Sequence, residues 1–443
     1  MRQKPNNDYS QALDFLYSFI DYERDHKWSY DSGHFNLDRV RTFFEALGNP
    51  HCHGWFVHIA GTNGKGSVAA MIANSLSSEG FCTGLYTSPH LVSFLERIRI
   101  DGRMITPEEL VEDVNRIRSV TERFPGLTFF DVWTGLAFDY FAHSSVDVSV
   151  IEVGMGGRLD STNVITPAIS VITSISIDHR GKLGDTLSEI ALEKSGVIKH
   201  GIPVVSAPQE PEVLNVLEEK ANEIGTTLTL VGRDIKFHQI NNGIYYSGLL
   251  WDFDRVKVPL TGNVQSLNAA VALASLEILA SCGYNIDPGS ARTGIETVQW
   301  PGRLQIIAKE PYVIVDGACN PEAMSAVCEF VSSIMPRDKT IAVVGMCKDK
   351  EVKQVLGILA ETATKFVFTR VENPRAMNVE EMAELSPESV ETWLEQDSKD
   401  AVEKAVSLAG RYGLVLVTGS LYLVGEVLKC YGIMVPCTYD VTH

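Results

Sequence analysis

The segment between residues 55 and 78 constrains the fold more than any other part of the chain. An apolar run over residues 55–60 precedes GTNGKGS (61–67), and a stretch with helical periodicity follows. Glycines let the backbone curl so that several N–H groups face one point, and the helix adds its positive N-terminal end. Lys65 supplies a mobile ammonium group. A strand, a glycine-rich loop and a helix in this order predict a nucleotide phosphate site, with a purely structural glycine turn as the alternative.

Strands and helices alternate on both sides of one interruption. Apolar runs predict strands at 83–88, 146–153, 168–175 and 202–206, with helices at 68–78 and 211–224. Near-continuous apolar strands separated by helices are typical of a parallel sheet covered on both faces. Proline and glycine break the pattern at 300–303, and it restarts with strands at 312–315, 340–344, 366–369 and 414–417 and a helix at 321–332. We expect an α/β protein: a P-loop parallel-sheet ATPase domain over 1–299, then a smaller Rossmann-like α/β domain over 300–443.

Composition excludes several classes of protein. The formal net charge of −18 argues against general nucleic-acid binding, which needs a basic surface. The eight cysteines include no CxxC pair, which argues against a zinc cluster or a secreted disulfide framework. No run approaches the roughly 18 apolar residues of a membrane span, and the N-terminal stretch is typical of an amphipathic helix, not of a signal peptide. We therefore expect a cytoplasmic protein with no membrane or nucleic-acid partner.

Polar residues follow three of the predicted strands. Ser88 ends one strand, Glu152 lies near the end of another, and His179 follows a third. Since the carboxyl ends of parallel strands converge on the ligand crevice, these groups could meet beside the glycine-rich loop. A hydroxyl, a carboxylate and an imidazole suit Mg²⁺ bound with nucleotide phosphates. Taken singly, each has an ordinary alternative: a turn hydroxyl, a paired carboxylate and a core histidine.

The order of these motifs resembles the folylpolyglutamate and dihydrofolate synthases of the Mur ligase superfamily. The matching stretches are HIAGTNGKGS (58–67), SPHL (88–91), EVGMGGRLDSTNVI (152–165), IDH (177–179), EKSGVIK (193–199), WPGRLQ (300–305), DGACNP (316–321), GMCKDKE (345–351), PRA (374–376) and GSLYLVGEV (419–427). The resemblance implies two domains with ATP between them. It also implies that ATP phosphorylates a folate carboxylate, that the glutamate amine attacks the acyl phosphate, and that ADP and phosphate leave.

The resemblance also implies roles for individual residues. Those of the nucleotide site are Thr62, Asn63, Gly64, Lys65, Gly66, Ser67, Asn268, Arg303 and Asp316. Ser88 and Glu152 would hold a first Mg²⁺; Glu152, His179 and Lys194 would hold a second. Lys65, His179 and Lys194 would be catalytic, and Lys194 would carry a carbamate; the alternative for Lys194 is an ordinary surface lysine. The substrate residues would be Phe129, Phe130, Asp131, Leu159, Asp160, Ser161 and Cys319. Phe129 and Phe130 could stack on a pterin ring or could equally belong to the core.

Three positions depart from the family pattern. Val264 and Cys319 each replace a histidine, and Arg180 stands where a small polar residue is common. Cys319 matters most, because that histidine lies where phosphate and incoming amino acid meet. The favoured function is an ATP-dependent ligase that adds L-glutamate to a folate, to dihydropteroate or to both, acting as a monomer. The alternatives are a diverged ligase for a non-folate acid and a nucleotide-binding homologue without turnover.

Overall fold

The computed structural model describes residues 7–21, 30, 31, 33 and 35–433. The amphipathic helix expected near the N-terminus is present within this part as α1, Asn7–Tyr17. Cys437 lies outside the described residues. The remaining helices are α2 Leu37–Ala46, α3 Lys65–Glu79, α4 Pro107–Thr121, α5 Phe129–His143, α6 Leu187–Ser195, α7 Pro211–Ile224, α8 Asn263–Ser281, α9 Pro288–Thr297, α10 Pro321–Ile334, α11 Val352–Leu359, α12 Val379–Glu384, α13 Ser398–Ala409 and α14 Leu421–Cys430.

The first sheet is parallel through most of its width. Its strands are β1 Trp55–Ala60, β2 Thr83–Tyr86, β3 Ile98–Ile100, β4 Arg103–Met104, β5 Val148–Glu152, β6 Ile169–Ile172, β7 Val204–Ser206 and β8 Leu228–Leu230. Their order is β4-β3-β2-β5-β1-β6-β7-β8, with antiparallel pairing only at the β2–β3 and β3–β4 edge. The chain proceeds from β1 toward β2 on one side and from β5 to β6 on the other. The carboxyl end of β1 therefore lies at the topological switch point, where open α/β sheets bind ligands.

Helices cover both faces of this sheet. Val57 and Ile59 of β1 pack with α3 and α8, whereas Phe56 packs on the opposite face with the aromatic residues of α2 and α5. This alternation buries the central strand on both sides, as the continuous apolar runs predict. Within the described part, α8 is long and apolar enough to cross a membrane, but 78% of its apolar window is buried inside the protein. The helix is thus part of the core.

A small antiparallel sheet was not expected from the sequence. It consists of β9 Lys236–Ile240, β10 Gly243–Ser247 and β11 Asp252–Lys257, in the order β11-β10-β9. Glu277 of α8, fully buried, anchors it by accepting hydrogen bonds from the Tyr246 hydroxyl at 2.6 Å and the Trp251 amide at 2.6 Å. A buried carboxylate is tolerated here because these N–H and O–H donors satisfy it.

The second large sheet is built from the C-terminal part of the chain. Its strands are β12 Gln305–Lys309, β13 Tyr312–Val315, β14 Thr340–Val344, β15 Lys365–Phe368, β16 Glu391–Leu394 and β17 Leu414–Thr418. The order is β12-β13-β17-β14-β15-β16, and all neighbours are parallel except β12 and β13. Strands β13 and β14 have the bounds that the sequence predicts. The alternation of strands and helices thus gives an α/β fold in both halves of the chain.

Candidate active site

The glycine-rich loop follows β1 and leads directly into α3. Gly64 has a φ of 89°, a left-handed conformation that favours glycine, and α3 begins at the next residue. The Lys65 ammonium donates to the carbonyl oxygens of Gly61 at 3.1 Å and Thr62 at 3.3 Å, so it lies over the loop. The loop therefore combines a helix N-terminus with a cation, which is the arrangement that binds phosphate.

Ser88 and Glu152 meet beside this loop. Strands β2 and β5 are parallel neighbours, and Tyr86 pairs with Ile151. Ser88, two positions after Tyr86, therefore lies near Glu152, which directly follows Ile151. The Ser88 amide donates to Glu152 Oε2 at 3.2 Å. Burial raises the pKa of Glu152, while the Lys65 ammonium, the Ser88 amide and Arg303 act in the opposite direction. A cation beside this buried carboxylate would favour its ionised form.

The residues present fit a magnesium ion. Glu152 is buried with cations and an amide donor near its carboxylate, and Ser88 lies on the wall of the same cavity. Among the described residues, no group of three or more His, Cys, Asp or Glu side chains is arranged to hold a metal. Mg²⁺ with nucleotides commonly takes only one or two protein oxygens, with phosphate and water completing its shell. Ser88 and Glu152 match that donor set.

His179 and Lys194 lie beside the start of the loop, near Gly61 and Thr62. Both line a small pocket with Lys65 and Asp178, next to the main cavity. The Lys194 ammonium is buried and donates to the Gly61 carbonyl at 2.7 Å. Burial, with a contribution from the Lys65 charge, lowers the pKa of Lys194 to about 7. Burial and the Lys350 charge lower the pKa of His179, so its imidazole is neutral at pH 7. Lys194 is thus a buried amine, not a surface lysine.

A cavity of about 400 Å³ gathers most of the residues that the sequence analysis singled out. Those on its wall are Thr62, Asn63, Gly64, Lys65, Gly66, Ser67, Ser88, Phe130, Glu152, Asp160, Ser161, His179, Asn268, Arg303, Asp316 and Cys319. The cavity lies between the carboxyl ends of the two parallel sheets. One wall comes from the loops after β1, β2, β5 and β6, and the other from the loops after β13 and β14.

The two walls are joined by hydrogen bonds across the cavity's edge. Asn63 of the glycine-rich loop accepts from Asn320 Nδ2 at 2.9 Å and donates to Glu322 at 2.7 Å. Lys350, which follows β14, donates to Asp178 Oδ1 at 2.7 Å. These contacts hold the second sheet against the phosphate loop. A ligand bound by the loop would therefore also face residues 316–320.

Residues of the second wall are fixed by their own loop. The Asp316 carboxylate accepts from the Leu304 amide at 2.9 Å and from the Ala318 amide at 2.8 Å. Burial raises the pKa of Asp316, and the nearby Arg303 guanidinium opposes that shift. Asn268 is held by Gln265, whose Oε1 accepts its side-chain amide at 3.0 Å. These groups are preorganised on the cavity wall where the resemblance places the nucleotide.

Another part of the cavity wall combines aromatic side chains with the Asp160 carboxylate. Phe130, Tyr30 and Asp160 line it together with Ser161. The Tyr30 hydroxyl accepts from the amides of Leu159 at 3.2 Å and Gly157 at 3.4 Å, so it holds the loop that carries Asp160. An aromatic wall beside a buried carboxylate suits a flat heterocycle with N–H donors.

Three of the predicted substrate residues lie outside the cavity wall. Phe129 is buried among aromatic rings, stacked on Trp133 at 6.3 Å, which is the core alternative for that residue. Asp131 caps α5: it accepts from the Thr128 amide at 2.8 Å and also from the Ser161 hydroxyl at 2.6 Å. Leu159 is buried and is absent from the wall, although its amide binds Tyr30. Phe129 and Asp131 thus lie next to residues that line the cavity: Phe129 precedes Phe130, and Asp131 accepts from Ser161.

Sequence reasoning missed several residues on the cavity wall. Tyr30, Gln265, Asn320, Lys350, Arg375 and Tyr422 all line it. Lys350 and Arg375 belong to GMCKDKE and PRA, stretches that match the family pattern without a role having been given to either residue. The Arg375 guanidinium is bound by Asp349 at 3.0 Å and by the Tyr422 hydroxyl at 3.1 Å. Membership of a matching stretch could therefore have predicted that Lys350 and Arg375 line the site. Tyr30 lies in no matching stretch and could not have been found in this way.

Comparison with known proteins identifies similar sequences over nearly the whole chain. Residues 302–421 match the family described as Mur ligase, glutamate ligase domain. The folylpolyglutamate synthase of Lacticaseibacillus casei is 34% identical over 406 residues, which cover 88% of this chain and 92% of that protein. The dihydrofolate synthase/folylpolyglutamate synthase of Bacillus subtilis is 34% identical over 405 residues, covering 89% and 94%.

Solved structures agree with the sequence comparison. Mycobacterium tuberculosis folylpolyglutamate synthase, complexed with ADP and AMPPCP, superposes with a TM-score of 0.87 at 31% identity, covering 96% of this chain and 99% of that one. E. coli FolC in complex with DHPP and ADP superposes with a TM-score of 0.86 at 28% identity, covering 96% and 97%. Both similarities extend over both large sheets, and so include the two walls of the cavity.

Proposed function

The chain belongs to the folylpolyglutamate synthase and dihydrofolate synthase family, and we infer that it is an ATP-dependent, ADP-forming ligase that adds L-glutamate to folates. The observation that carries this function is one cavity with a phosphate loop on its first wall, residues of the glutamate ligase domain on its second, and an aromatic part with a carboxylate. ATP, an acid with a flat heterocycle and an amino acid can thus be brought together in one place.

The reaction proceeds through an acyl phosphate. An oxygen of the folate carboxylate attacks the γ-phosphorus of ATP, and the bond to the β,γ-bridging oxygen breaks to release ADP. The glutamate amine then attacks the acyl carbon, loses a proton, and displaces inorganic phosphate. Lys65 at the loop neutralises charge on the phosphates, and the N-terminus of α3 adds its positive end. Contacts between the walls, such as Lys350 with Asp178, help exclude water from the acyl phosphate.

Magnesium is part of the proposal. Ser88 and Glu152 would hold one ion, and Glu152, His179 and Lys194 would hold a second if Lys194 carries a carbamate. Bound magnesium would neutralise the phosphate oxygens during transfer. A pKa of about 7 leaves a large fraction of Lys194 as the free amine, the form that adds CO₂ to give an anionic ligand. The neutral imidazole of His179 is likewise in its ligating form.

We also propose the division of the chain at residues 299 and 300, with 1–299 as the ATP-binding domain and 300–443 as the ligase domain. The antiparallel β12–β13 pair begins the second sheet just after this point. A cytoplasmic monomer is the form that we propose for the enzyme.

Product analysis tests the function. The pure protein is incubated with ATP, Mg²⁺ and L-glutamate, and with either dihydropteroate or tetrahydrofolate. We expect a mass increase of one glutamyl residue on at least one acid, with ADP and phosphate as coupled products. AMP and pyrophosphate as the coupled products would contradict the mechanism.

A diverged ligase for a non-folate acid is the second candidate. Cys319 and Val264 favour it, since both replace histidines of the family pattern. Ligation of another acid and amine, without any glutamate-dependent folate product, would support it.

A further inference from the structure

A chain of three buried side chains runs from the central strand of the first sheet to the aromatic part of the cavity wall. His58 of β1 lies 2.8 Å from the Thr162 hydroxyl, through its Nε2 atom. Thr162 Oγ1 lies 2.5 Å from Asp160 Oδ1. His58 and Thr162 are fully buried, and Asp160 is 4% exposed. Of these three residues, Asp160 is the one that lines the cavity.

The hydrogen-bond partners of Asp160 and Thr162 indicate which atom donates each hydrogen. Oδ1 also accepts from the Thr162 amide at 3.0 Å, and Oδ2 accepts from the Met155 amide at 2.9 Å. Burial raises the pKa of Asp160, and the hydrogen bonds from the Thr162 hydroxyl and from the amides of Met155, Thr162 and Gly154 oppose that shift. Because both carboxylate oxygens already accept from amides, the hydrogen between Oγ1 and Oδ1 comes from Thr162. Because a hydroxyl donates only one hydrogen, Thr162 must accept from His58. The His58 ring is therefore the tautomer with its hydrogen on Nε2.

The other ring nitrogen supports this assignment. Nδ1 of His58 is buried and has no hydrogen-bond partner among the residues that the structure describes. An unpartnered acceptor inside a protein costs less than an unpartnered N–H donor, since buried N–H groups are rarely left without a partner. Burial lowers the pKa of His58 to about 3, with a smaller contribution from Lys199, so the ring is neutral. One N–H is available, and Thr162 accepts it.

We propose that His58 and Thr162 are positioning residues that hold the Asp160 carboxylate for the heterocyclic end of the acid substrate. The ligand class is a flat heterocycle that presents adjacent N–H donors to a carboxylate. This inference rests on the proposed function, because it takes the aromatic part of the cavity wall as the site of the folate heterocycle. His58 is fixed in position because it lies on the buried strand β1. Without His58, the Thr162 hydroxyl can rotate, and Asp160 loses an aligned hydrogen-bond donor.

A purely structural histidine is the competing explanation, and it makes a different kinetic prediction. His58 precedes the phosphate loop by three residues, so a packing defect there should disturb ATP binding. A defect that acts through Asp160 should disturb only the binding of the acid. The two explanations are separated by comparing KM for the acid with KM for ATP.

Four variants form matched pairs. His58→Leu and Thr162→Val remove the hydrogen bonds, whereas His58→Gln and Thr162→Ser keep a donor or hydroxyl. We expect His58→Leu and Thr162→Val to raise KM for the folate acid about 3- to 10-fold, the range for one lost hydrogen bond, with KM for ATP within about twofold of the original. The conservative variants should restore the acid KM. Equal rises in both KM values, or no rescue, would overturn the proposal.

A readout that does not need turnover separates this proposal from the proposed function. In protein labelled with ¹⁵N-histidine, the His58 signals should show the Nε2–H tautomer, and Thr162→Val should shift them. Direct binding of dihydropteroate to the same variants should weaken by the same factor as KM. An Nδ1–H tautomer, or dihydropteroate binding unchanged in Thr162→Val, would refute the positioning role. If the variants weaken dihydropteroate binding as expected but the protein does not ligate glutamate, the proposed function is refuted and the positioning role is not.

Discussion

Lys350 and Asp178 form an ion pair that joins the two large sheets, with Nζ 2.7 Å from Oδ1 and both side chains nearly buried. Lys350 follows β14 of the second sheet, and Asp178 follows β6 of the first. Burial alone would raise the pKa of Asp178, but the Lys350 ammonium and His179 bring it below its ordinary range. The pair therefore stabilises the contact between the two walls of the cavity.

Lys350→Met should destabilise the protein by about 3 kcal/mol, because it leaves a nearly buried carboxylate without its cation. The measurement is urea-induced unfolding followed by circular dichroism. Arg411→Ala is the matched control: its ion pair with Glu310 is two-thirds exposed on both sides, so we expect a loss below about 0.5 kcal/mol. Equal small losses in both variants would show that the Lys350 pair adds no stability.

Glu152→Gln should lower kcat by about 100-fold or more, which corresponds to about 2.7 kcal/mol. The amide oxygen can still accept from the Ser88 amide, so the fold should remain intact while the charge that would hold magnesium is lost. Steady-state kinetics at saturating Mg²⁺ checks the rate, and the melting temperature checks the fold. Near-normal kcat would exclude Glu152 as a ligand needed for turnover.

Lys194→Ala should abolish activity, and a short carboxylic acid in solution should partly restore it. The expected reason is that the acid replaces the carbamate in the space left by the side chain. Lys194→Arg is the control, since its guanidinium keeps the charge but cannot add CO₂. A crystal grown with bicarbonate at neutral-to-basic pH provides a direct check: density for an unmodified lysine would count against the carbamate.

The sequence predicts the buried strands well and the exposed ones poorly. Strands such as β13 and β14 are apolar on both faces, so their composition alone defines them. Strand β9 has only exposed and half-buried residues, and it pairs within a small sheet on α8. Its partner strand β10 is held by Glu277, which accepts from the Tyr246 hydroxyl and is distant in sequence. Such strands depend on tertiary contacts more than on local pattern.

In the site, too, some residues could be placed from the sequence and others could not. Ser88 and Glu152 could be brought together from sequence because the ends of parallel strands converge. Tyr30 could not, since its contact with residues 157 and 159 spans more than a hundred positions. Asp131 had a local signal that pointed away from substrate: Thr128 followed three residues later by an acid is the pattern of a helix capping box.

Acid stability should depend on His58. In the folded state its pKa is about 3, whereas an unfolded chain titrates near 6.5. The unfolded state therefore binds more protons between these values, and stability is lost as the pH falls from 6.5 toward 3. The slope from one group is at most about 1.4 kcal/mol per pH unit. His58→Gln cannot titrate, so its unfolding free energy should fall less steeply with acid. Parallel curves for the two proteins would contradict this account.

Cys319→His should raise kcat/KM for glutamate, or at least leave it unchanged. Cys319 lies on the cavity wall between the second sheet and the helix N-cap Asn320, and burial raises the pKa of its thiol. A neutral thiol donates and accepts hydrogen bonds weakly, whereas an imidazole could orient the amino acid or stabilise charge near the acyl phosphate. The measurement is kcat/KM for both proteins across a panel of amino acids with one folate acid. Cys328→Ser, a change outside the cavity wall, controls for the loss of a thiol elsewhere. If Cys319→His lowers kcat/KM for glutamate while Cys328→Ser does not, the neighbours of Cys319 are adapted to a thiol, and the substitution is part of this enzyme's own specificity.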